Sequence, residues 1–163
     1  MRFLSIFAHQ VIPVNTPKSQ IRLTGVSKSY GSHVILADTD LKVTAGEFVV
    51  IVGRSGSGKS TLLNLIGGLD FPSRGEVKVL GQPMSSLTEE QRSALRCKSL
   101  GFVFQFFNLI PTLTVAENIR LPMALNGEPK PAAEAQVAAL LSELGMNGCG
   151  DRFPEELSGG EQQ

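Results

Sequence analysis

The sequence has few of the features that would assign it to a bilayer, a metal centre or a nucleic acid. Its 15 basic and 15 acidic residues give a formal net charge of zero, and no basic stripe marks a nucleic-acid surface. No apolar run is long enough to cross a membrane, so membrane association would have to come through a protein partner. Cys97 and Cys149 have no histidine or second cysteine at metal-ligand spacing and are interpreted as reduced cytosolic thiols.

The composition does supply enough apolar material for one globular domain, since 42% of the 163 residues are hydrophobic. Residues 1–20 contain a short apolar patch that is too short for a secretory signal, so we expect either a flexible leader or an upstream start codon. The alternating apolar residues within 21–43 predict strands of an antiparallel layer. Further on, a Pro-Lys-Pro turn predicts a helix over 132–144 that Gly145 ends.

A glycine-rich segment between an apolar strand and a helix carries the chemistry. Residues 48–52 are apolar and mostly β-branched, which predicts a strand of a parallel sheet buried on both faces. Residues 61–66 predict a helix that ends at Gly67-Gly68. Glycines let the intervening backbone curl around an anion, and the helix dipole favours negative charge there. The segment therefore predicts a phosphate-binding loop, made of Gly53, Arg54, Ser55, Gly56, Ser57, Gly58, Lys59, Ser60 and Thr61.

Two side chains of this loop have specific predicted roles. Lys59 would reach the β- and γ-phosphate oxygens of a nucleoside triphosphate, and Ser60 would ligate Mg²⁺. The expected cofactors are therefore ATP and Mg²⁺.

A second motif, at residues 157–161, reads Leu-Ser-Gly-Gly-Glu and resembles the signature of the ATP-binding-cassette (ABC) ATPases. The resemblance covers residues 21–163. It implies that Tyr30 stacks on adenine. It also implies that Gln105, which ends the apolar run 100–105 predicted as a second strand, contacts Mg²⁺ and the attacking water.

The signature has two compatible interpretations. Ser158 could be an ordinary helix N-cap, and a capped helix N-terminus is also an anion site. The resemblance implies that this site closes over the γ-phosphate of a second ATPase subunit in a head-to-tail homodimer. The residues expected to act in trans are Ser158, Gly159, Gly160 and Glu161.

Residues 100–119 resemble the branch of the family that drives lipoprotein release and macrolide or peptide export in bacteria. The resemblance implies a peripheral ATPase on the cytoplasmic face of the plasma membrane, beneath a transmembrane permease. Phe106, Phe107, Leu109 and Ile110 could line a groove for a permease helix. They could equally begin the core of the helical subdomain.

The implied fold is α/β: a P-loop NTPase core with a mostly parallel sheet, an N-terminal antiparallel layer, and a small helical subdomain at about residues 112–160. In this family the Walker B carboxylate, a catalytic glutamate and a switch histidine follow the signature helix, whereas this sequence stops at Gln163. We therefore expect the front portion of a longer ATPase, truncated before the Walker B strand, whose own ATP hydrolysis is weak.

Two other functions stay open at this point. One is a soluble, non-transport ABC ATPase acting on DNA or ribosomes, against which stand the neutral charge and the lack of a coiled-coil insertion between loop and signature. The other is a nucleotide-binding remnant without hydrolysis. The transported substrate is not encoded in these residues.

Overall fold

The computed structural model describes residues 5–9, for which only the backbone is given, and residues 19–162. The chain divides into two compact units, Met1–Arg96 and Cys97–Gln163, and each is described by itself. The elements are β1 (Ser5–His9), β2 (Ser19–Tyr30), β3 (His33–Thr44), β4 (Phe48–Val52), α1 (Lys59–Ile66), β5 (Arg74–Val79), β6 (Gln82–Pro83), α2 (Glu89–Ser99), α3 (Val115–Leu125), α4 (Lys130–Glu143) and α5 (Gly159–Gln162), with 3₁₀ turns at Met84–Ser86 and Pro154–Glu156.

The larger sheet of the first unit has the strand order β3-β2-β5-β6, and every neighbouring pair is antiparallel. It confirms the antiparallel layer that the alternating pattern predicts. Leu23 and Val26 of β2 are buried with Val77 and Val79 of β5. The register between β2 and β5 shifts between Thr24 and Ser27, which marks a bulge.

The strand before the phosphate loop, β4, has the predicted bounds but not the predicted environment. Its only described partner is β1, which pairs with it antiparallel. Its side chains alternate between exposed and half-buried, and Phe48 is 70% exposed. The prediction of burial on both faces is therefore wrong for the described residues, because no described strand or helix covers both sides of β4. No parallel pair occurs among the described strands, and the mostly parallel core stays a prediction.

The helix after the loop, α1, begins two residues before the predicted start, and Gly67 caps its C-terminus as predicted. Its buried residues Leu62, Leu65 and Ile66 belong to the core of the first unit. In the second unit, α4 begins at Lys130 rather than at residue 132. Pro131 lies in its first turn, where a missing N–H costs no hydrogen bond.

The second unit is built around a small core in which helices α3 and α4 pack together. Its buried residues are Val115, Val137, Leu141, Cys149 and Leu157. The start of α3 is fixed by a capping box: the Thr114 hydroxyl accepts from the Glu117 N–H, and the Glu117 carboxylate accepts from the Thr114 N–H. The backbone N–H of Val115 also donates to the carbonyl of Arg152, which ties α3 to the segment before the signature.

The second predicted strand, residues 100–105, is not a strand in the structure. Residues 100–104 have no regular secondary structure, and Val103 is 90% exposed. The rings of Phe102 and Phe104 stack with centroids 5.8 Å apart. An apolar run becomes a strand only where a neighbour completes its backbone hydrogen bonds, and no described strand does so here.

The predicted divisions, a leader at 1–20, an ATPase domain at 21–163 and a helical subdomain at about 112–160, stay predictions. Within the leader, the backbone of β1 pairs with β4; the other residues before Ser19 lie outside the described part. None of the described helices is both long and apolar enough to cross a bilayer.

Candidate functional site

The backbone of the phosphate loop has the curvature that anion binding requires. Gly56 and Gly58 have φ values of +74° and +96°, in the left-handed region that favours glycine. Gly58 immediately precedes α1, so the free N–H groups of the helix N-terminus lie at the end of the loop. A Cβ built on Gly56 would meet nothing within 4 Å, which leaves a cradle beside the backbone.

Lys59 spans this loop from within. Its Nζ donates to the carbonyl oxygens of Gly53, at 2.9 Å, and Arg54, at 3.0 Å. The ammonium is therefore held beside the same backbone that would surround a phosphate. The buried Ser57 Oγ is the one fully buried side-chain polar atom without a hydrogen-bond partner in the described part of the chain. These observations fit an anion such as the triphosphate of ATP.

Close packing, as well as the left-handed backbone conformation, requires glycine at position 58. A Cβ at this position would lie 2.9 Å from Leu36 Cδ2 and 3.1 Å from the carbonyl oxygen of Ile35. Both contacts come from β3, so the antiparallel layer supports the loop directly. A larger residue would displace either the loop or the strand.

The predicted adenine residue, Tyr30, stands at the end of β2 and is 49% exposed. Its hydroxyl donates a short hydrogen bond to the Asp70 carboxylate. Asp70 also accepts from Lys28 Nζ at 2.5 Å, and Lys28 Nζ lies 4.7 Å from the centre of the Tyr30 ring. Tyr30, Asp70 and Lys28 thus form one connected cluster, which we call the tyrosine cluster.

The electrostatics of this cluster are coupled. The hydrogen bond to Asp70 is the main cause that raises the pKa of Tyr30, and a hydrogen bond with the Thr61 side chain acts in the opposite direction. Burial alone would raise the pKa of the Asp70 carboxyl, but the hydrogen bonds from Lys28 and Tyr30, with the Phe71 N–H, lower it below its usual range. At neutral pH Asp70 is therefore a carboxylate and Tyr30 a neutral phenol.

Since Tyr30 is the single tyrosine and tryptophan is absent, this coupling can be measured directly. We expect the alkaline absorbance titration of the chain to have a midpoint above the ordinary tyrosine pKa of 10.0. Asp70→Ala should return the midpoint to the ordinary value, while Asp151→Ala, which removes an exposed carboxylate elsewhere, should leave it raised. A midpoint that Asp70→Ala does not move would contradict the hydrogen bond, and circular dichroism over the same pH range checks that the fold persists.

The other predicted site residues belong to the second unit. Gln105 is exposed and lies in a bend. Of the apolar residues that follow it, Phe106 is 77% exposed and Phe107 is 39% exposed. Leu109 lines a mainly apolar cavity of about 240 Å³ with residues of the second unit, including Val115 and Ile119. Leu109 thus faces its own unit, while Phe106 remains on the surface.

Ser158 directly precedes helix α5, and its carbonyl accepts from the Gln162 N–H, so it occupies the predicted N-cap position. Its hydroxyl, however, does not accept from a backbone N–H. The Ser158 hydroxyl donates to the Glu161 carboxylate at 2.6 Å, and the Ser158 N–H donates to the same carboxylate at 2.8 Å. These two hydrogen bonds are the main cause that lowers the pKa of Glu161. Ser158, Gly159, Gly160 and Glu161 are all exposed, so they are accessible to a ligand or a second chain.

The described residues hold no cluster of three or more His, Cys, Asp or Glu side chains that could bind a metal ion by itself. Ser60, the predicted Mg²⁺ ligand, is exposed in the first turn of α1. A Mg²⁺ ion at this position fits only as a companion of bound phosphate, whose oxygens would supply further ligands.

Sequence reasoning missed the partners that organise Tyr30. No sequence motif identified Lys28, Asp70 or Arg92 as a residue of the candidate site. Arg92 is buried, lies 4.4 Å from the centre of the Phe71 ring and donates to the Leu87 carbonyl at 2.5 Å. A sequence signal did exist for helix α2, which carries Arg92, because Thr88 and Gln91 have the spacing of a capping box. In the structure the Thr88 N–H donates to the Gln91 side chain, and the Gln91 N–H donates to the Thr88 hydroxyl.

The loop, the helix that follows it and the antiparallel layer together define a P-loop nucleotide-binding protein. The family described as ABC transporter matches residues 36–163, which is most of the chain. The protein belongs to this family, and the matched residues are part of an ABC transporter ATP-binding domain. The resemblance drawn from the two motifs is thus confirmed.

The similar proteins include ATP-binding proteins of a lipoprotein-releasing system and of bacitracin export. The lipoprotein-releasing system ATP-binding protein LolD of Xanthomonas axonopodis is 45% identical over 157 residues, covering 92% of this chain and 64% of LolD. The uncharacterised ABC transporter ATP-binding protein YbbA of Escherichia coli is 50% identical over 139 residues, covering 84% of this chain and 61% of YbbA. The bacitracin export ATP-binding protein BceA of Halalkalibacterium halodurans is 42% identical over 147 residues, covering 88% of this chain and 58% of BceA.

Among solved structures, the ATP-binding cassette MJ0796, a dimer in a post-hydrolysis state bound to ADP and Pi, superposes with a TM-score of 0.76. The two are 35% identical, and the match covers 87% of this chain and 65% of that one. This chain therefore spans somewhat less than two thirds of the length of the relatives it matches.

Proposed function

We propose that this chain is the nucleotide-binding part of the motor subunit of a bacterial exporter or lipoprotein-release transporter, and that it binds Mg·ATP in the loop of residues 53–61. The observation that carries the proposal is the loop itself. Two left-handed glycines curl the backbone, helix α1 begins directly after them, and Lys59 Nζ donates to two carbonyl oxygens of the loop. Tyr30 would receive the adenine, and Ser60 with Gln105 would contact Mg²⁺.

The steps beyond binding follow from the family. In the whole protein, Gln105 would help to place the attacking water, and residues 158–161 would close over the γ-phosphate held by a second, head-to-tail copy. ATP-driven dimerisation would then be coupled to a transmembrane permease at the cytoplasmic face, with exposed Phe106 available for docking. The dimeric state of MJ0796 and the names of LolD and BceA support this reading. A mostly parallel sheet around β4 belongs to the same proposal.

A matched pair of glycine substitutions tests nucleotide binding. Gly56 and Gly127 have nearly equal φ values, +74° and +76°, and a Cβ at either one meets nothing within 4 Å. An alanine should therefore impose a similar backbone strain of about 1–2 kcal/mol at both positions. Only Gly56 belongs to the phosphate loop, so we expect Gly56→Ala to weaken Mg·ATP binding about tenfold or more and Gly127→Ala to leave it unchanged.

Isothermal titration of the 163-residue chain with Mg·ATP measures both affinities, and chemical denaturation measures both stabilities. Absence of binding to the wild-type chain would refute the proposal. Equal affinities of the two variants would also count against the loop as the site.

A further inference from the structure

We propose that Asp70 and Lys28 are positioning residues that fix the Tyr30 ring as a one-sided platform for the adenine ring of the nucleotide. The inference rests on the proposed nucleotide binding and adds the reason why the ring adopts one orientation. Three observations carry it: the fixation of the Tyr30 hydroxyl, the occupation of one ring face, and the connection of the cluster to the phosphate loop.

The hydroxyl of Tyr30 is fixed because its acceptor cannot move freely. Asp70 Oδ2 accepts from Tyr30, while Asp70 Oδ1 accepts from Lys28 Nζ at 2.5 Å and from the backbone N–H of Phe71 at 2.7 Å. Lys28 is only 8% exposed, and its Nζ also donates to the Phe71 carbonyl at 2.7 Å. A half-exposed tyrosine would otherwise sample several rotamers, and the loss of that freedom would oppose binding.

One face of the ring is already occupied. The Lys28 ammonium lies 4.7 Å from the ring centre, within the range of a cation–π contact. A planar base can therefore stack only on the opposite face. The cation also balances the Asp70 carboxylate, so the cluster presents a neutral phenol rather than a negative charge to the incoming nucleotide.

The cluster is connected to the phosphate loop through a short, braced segment. Helix α1 begins at Lys59 and ends at Ile66, and Asp70 follows four residues later. This segment is held at its far end by Arg92, whose guanidinium lies 4.4 Å from the centre of the Phe71 ring, and at its near end it continues directly from helix α1. The base platform and the phosphate loop are thus held at one separation, a preorganisation that favours a nucleotide over a bare phosphate chain.

The contributions of the Tyr30 platform and of the phosphate loop to affinity can be measured separately with two ligands. One is Mg·ATP, and the other is inorganic tripolyphosphate with Mg²⁺, which has the phosphate chain but no base. Loss of a base–aromatic stack weakens binding about 5- to 150-fold, equivalent to 1–3 kcal/mol. In Asp70→Ala the ring is retained but released, so we expect ATP affinity to fall about three- to tenfold while tripolyphosphate affinity stays the same. Asp151→Ala, the matched exposed carboxylate, should change neither.

Asp70→Ala leaves the buried Lys28 ammonium without its carboxylate partner and could therefore fail to fold. A second variant keeps the inference testable in that case. Tyr30→Phe removes only the hydroxyl and keeps the Lys28–Asp70 pair, and it should produce the same fall in the ratio of ATP to tripolyphosphate affinity. In the double variant the two effects should not add, since both remove one interaction.

The outcomes distinguish this inference from the proposed function. If the wild-type chain binds neither ligand, the proposed function fails and the inference with it. If it binds both, and the affinity ratio of Tyr30→Phe equals that of wild type, the inference alone is overturned. A fall in both affinities by the same factor would show a general structural role and would also overturn it.

Discussion

Substituting Gly75 by alanine is expected to remove about 3–5 kcal/mol from the free energy of unfolding, a large part of the stability of a domain of this size. Gly75 has a φ of +81°, and a Cβ there would lie 2.3 Å from the carbonyl oxygen of Gly25 and 2.5 Å from that of Thr24. The obstacle is backbone rather than a flexible side chain, so it cannot move without separating β2 from β5. Chemical denaturation followed by circular dichroism measures the loss.

Gly81 is the control for this effect. It has the same φ of +81°, but a Cβ there meets nothing within 4 Å. It follows Leu80 in the turn between β5 and β6, where both residues have positive φ, as in a tight hairpin. Gly81→Ala should cost only the conformational strain, about 1–2 kcal/mol. Equal losses for the two variants would show that strain alone, and not the close approach of two strands, requires glycine at Gly75.

Patterns confined to a few neighbouring residues predicted the structure well. The phosphate loop requires glycines in left-handed conformations just before a helix, and Gly56, Gly58 and α1 meet that requirement. The alternating apolar residues of β2 and β3 predicted strands of an antiparallel layer, because alternation is a local property of each strand. Such patterns succeed because the forces that create them act within one element.

Predictions that depend on a distant partner did less well. The apolar residues 100–104 were expected to form a strand, but strand formation needs a neighbour, and the described residues provide none. The burial of β4 failed for the same reason. Apolar content indicates that a segment favours burial, and only its neighbours decide whether burial occurs.

The tyrosine cluster shows the same limit at the candidate site. Tyr30 was assigned to adenine from its place in a series of motifs, yet its partner Asp70 is 40 residues away. Their contact depends on the packing of the segment after α1 against the end of β2, where the Ser73 N–H donates to the Ser27 carbonyl at 2.8 Å. The family resemblance over residues 21–163 includes both residues, but only the fold brings their side chains together.

Lys59 should account for the largest single contribution of a side chain to nucleotide affinity. Its Nζ already lies beside the loop backbone, bonded to the carbonyls of Gly53 and Arg54. A bound triphosphate offers this ammonium charged acceptors in place of neutral carbonyls. A hydrogen bond to a charged group contributes about 1.5–3 kcal/mol, so we expect Lys59→Met to weaken Mg·ATP binding about 10- to 150-fold.

Lys98→Met is the matched control, because Lys98 is an exposed lysine of α2 outside the loop. It should bind Mg·ATP as wild type does and keep the stability of the parent chain within about 1 kcal/mol, as surface substitutions usually do. Titration with Mg·ATP at two salt concentrations then distinguishes a direct contact with the phosphates from a long-range attraction between positive and negative charges. A contact made inside the loop is screened little, whereas a long-range effect of positive charge would be lost at high salt for both lysines alike. If the two variants lose affinity equally, Lys59 acts only as one positive charge among others, and the loop is not the phosphate site.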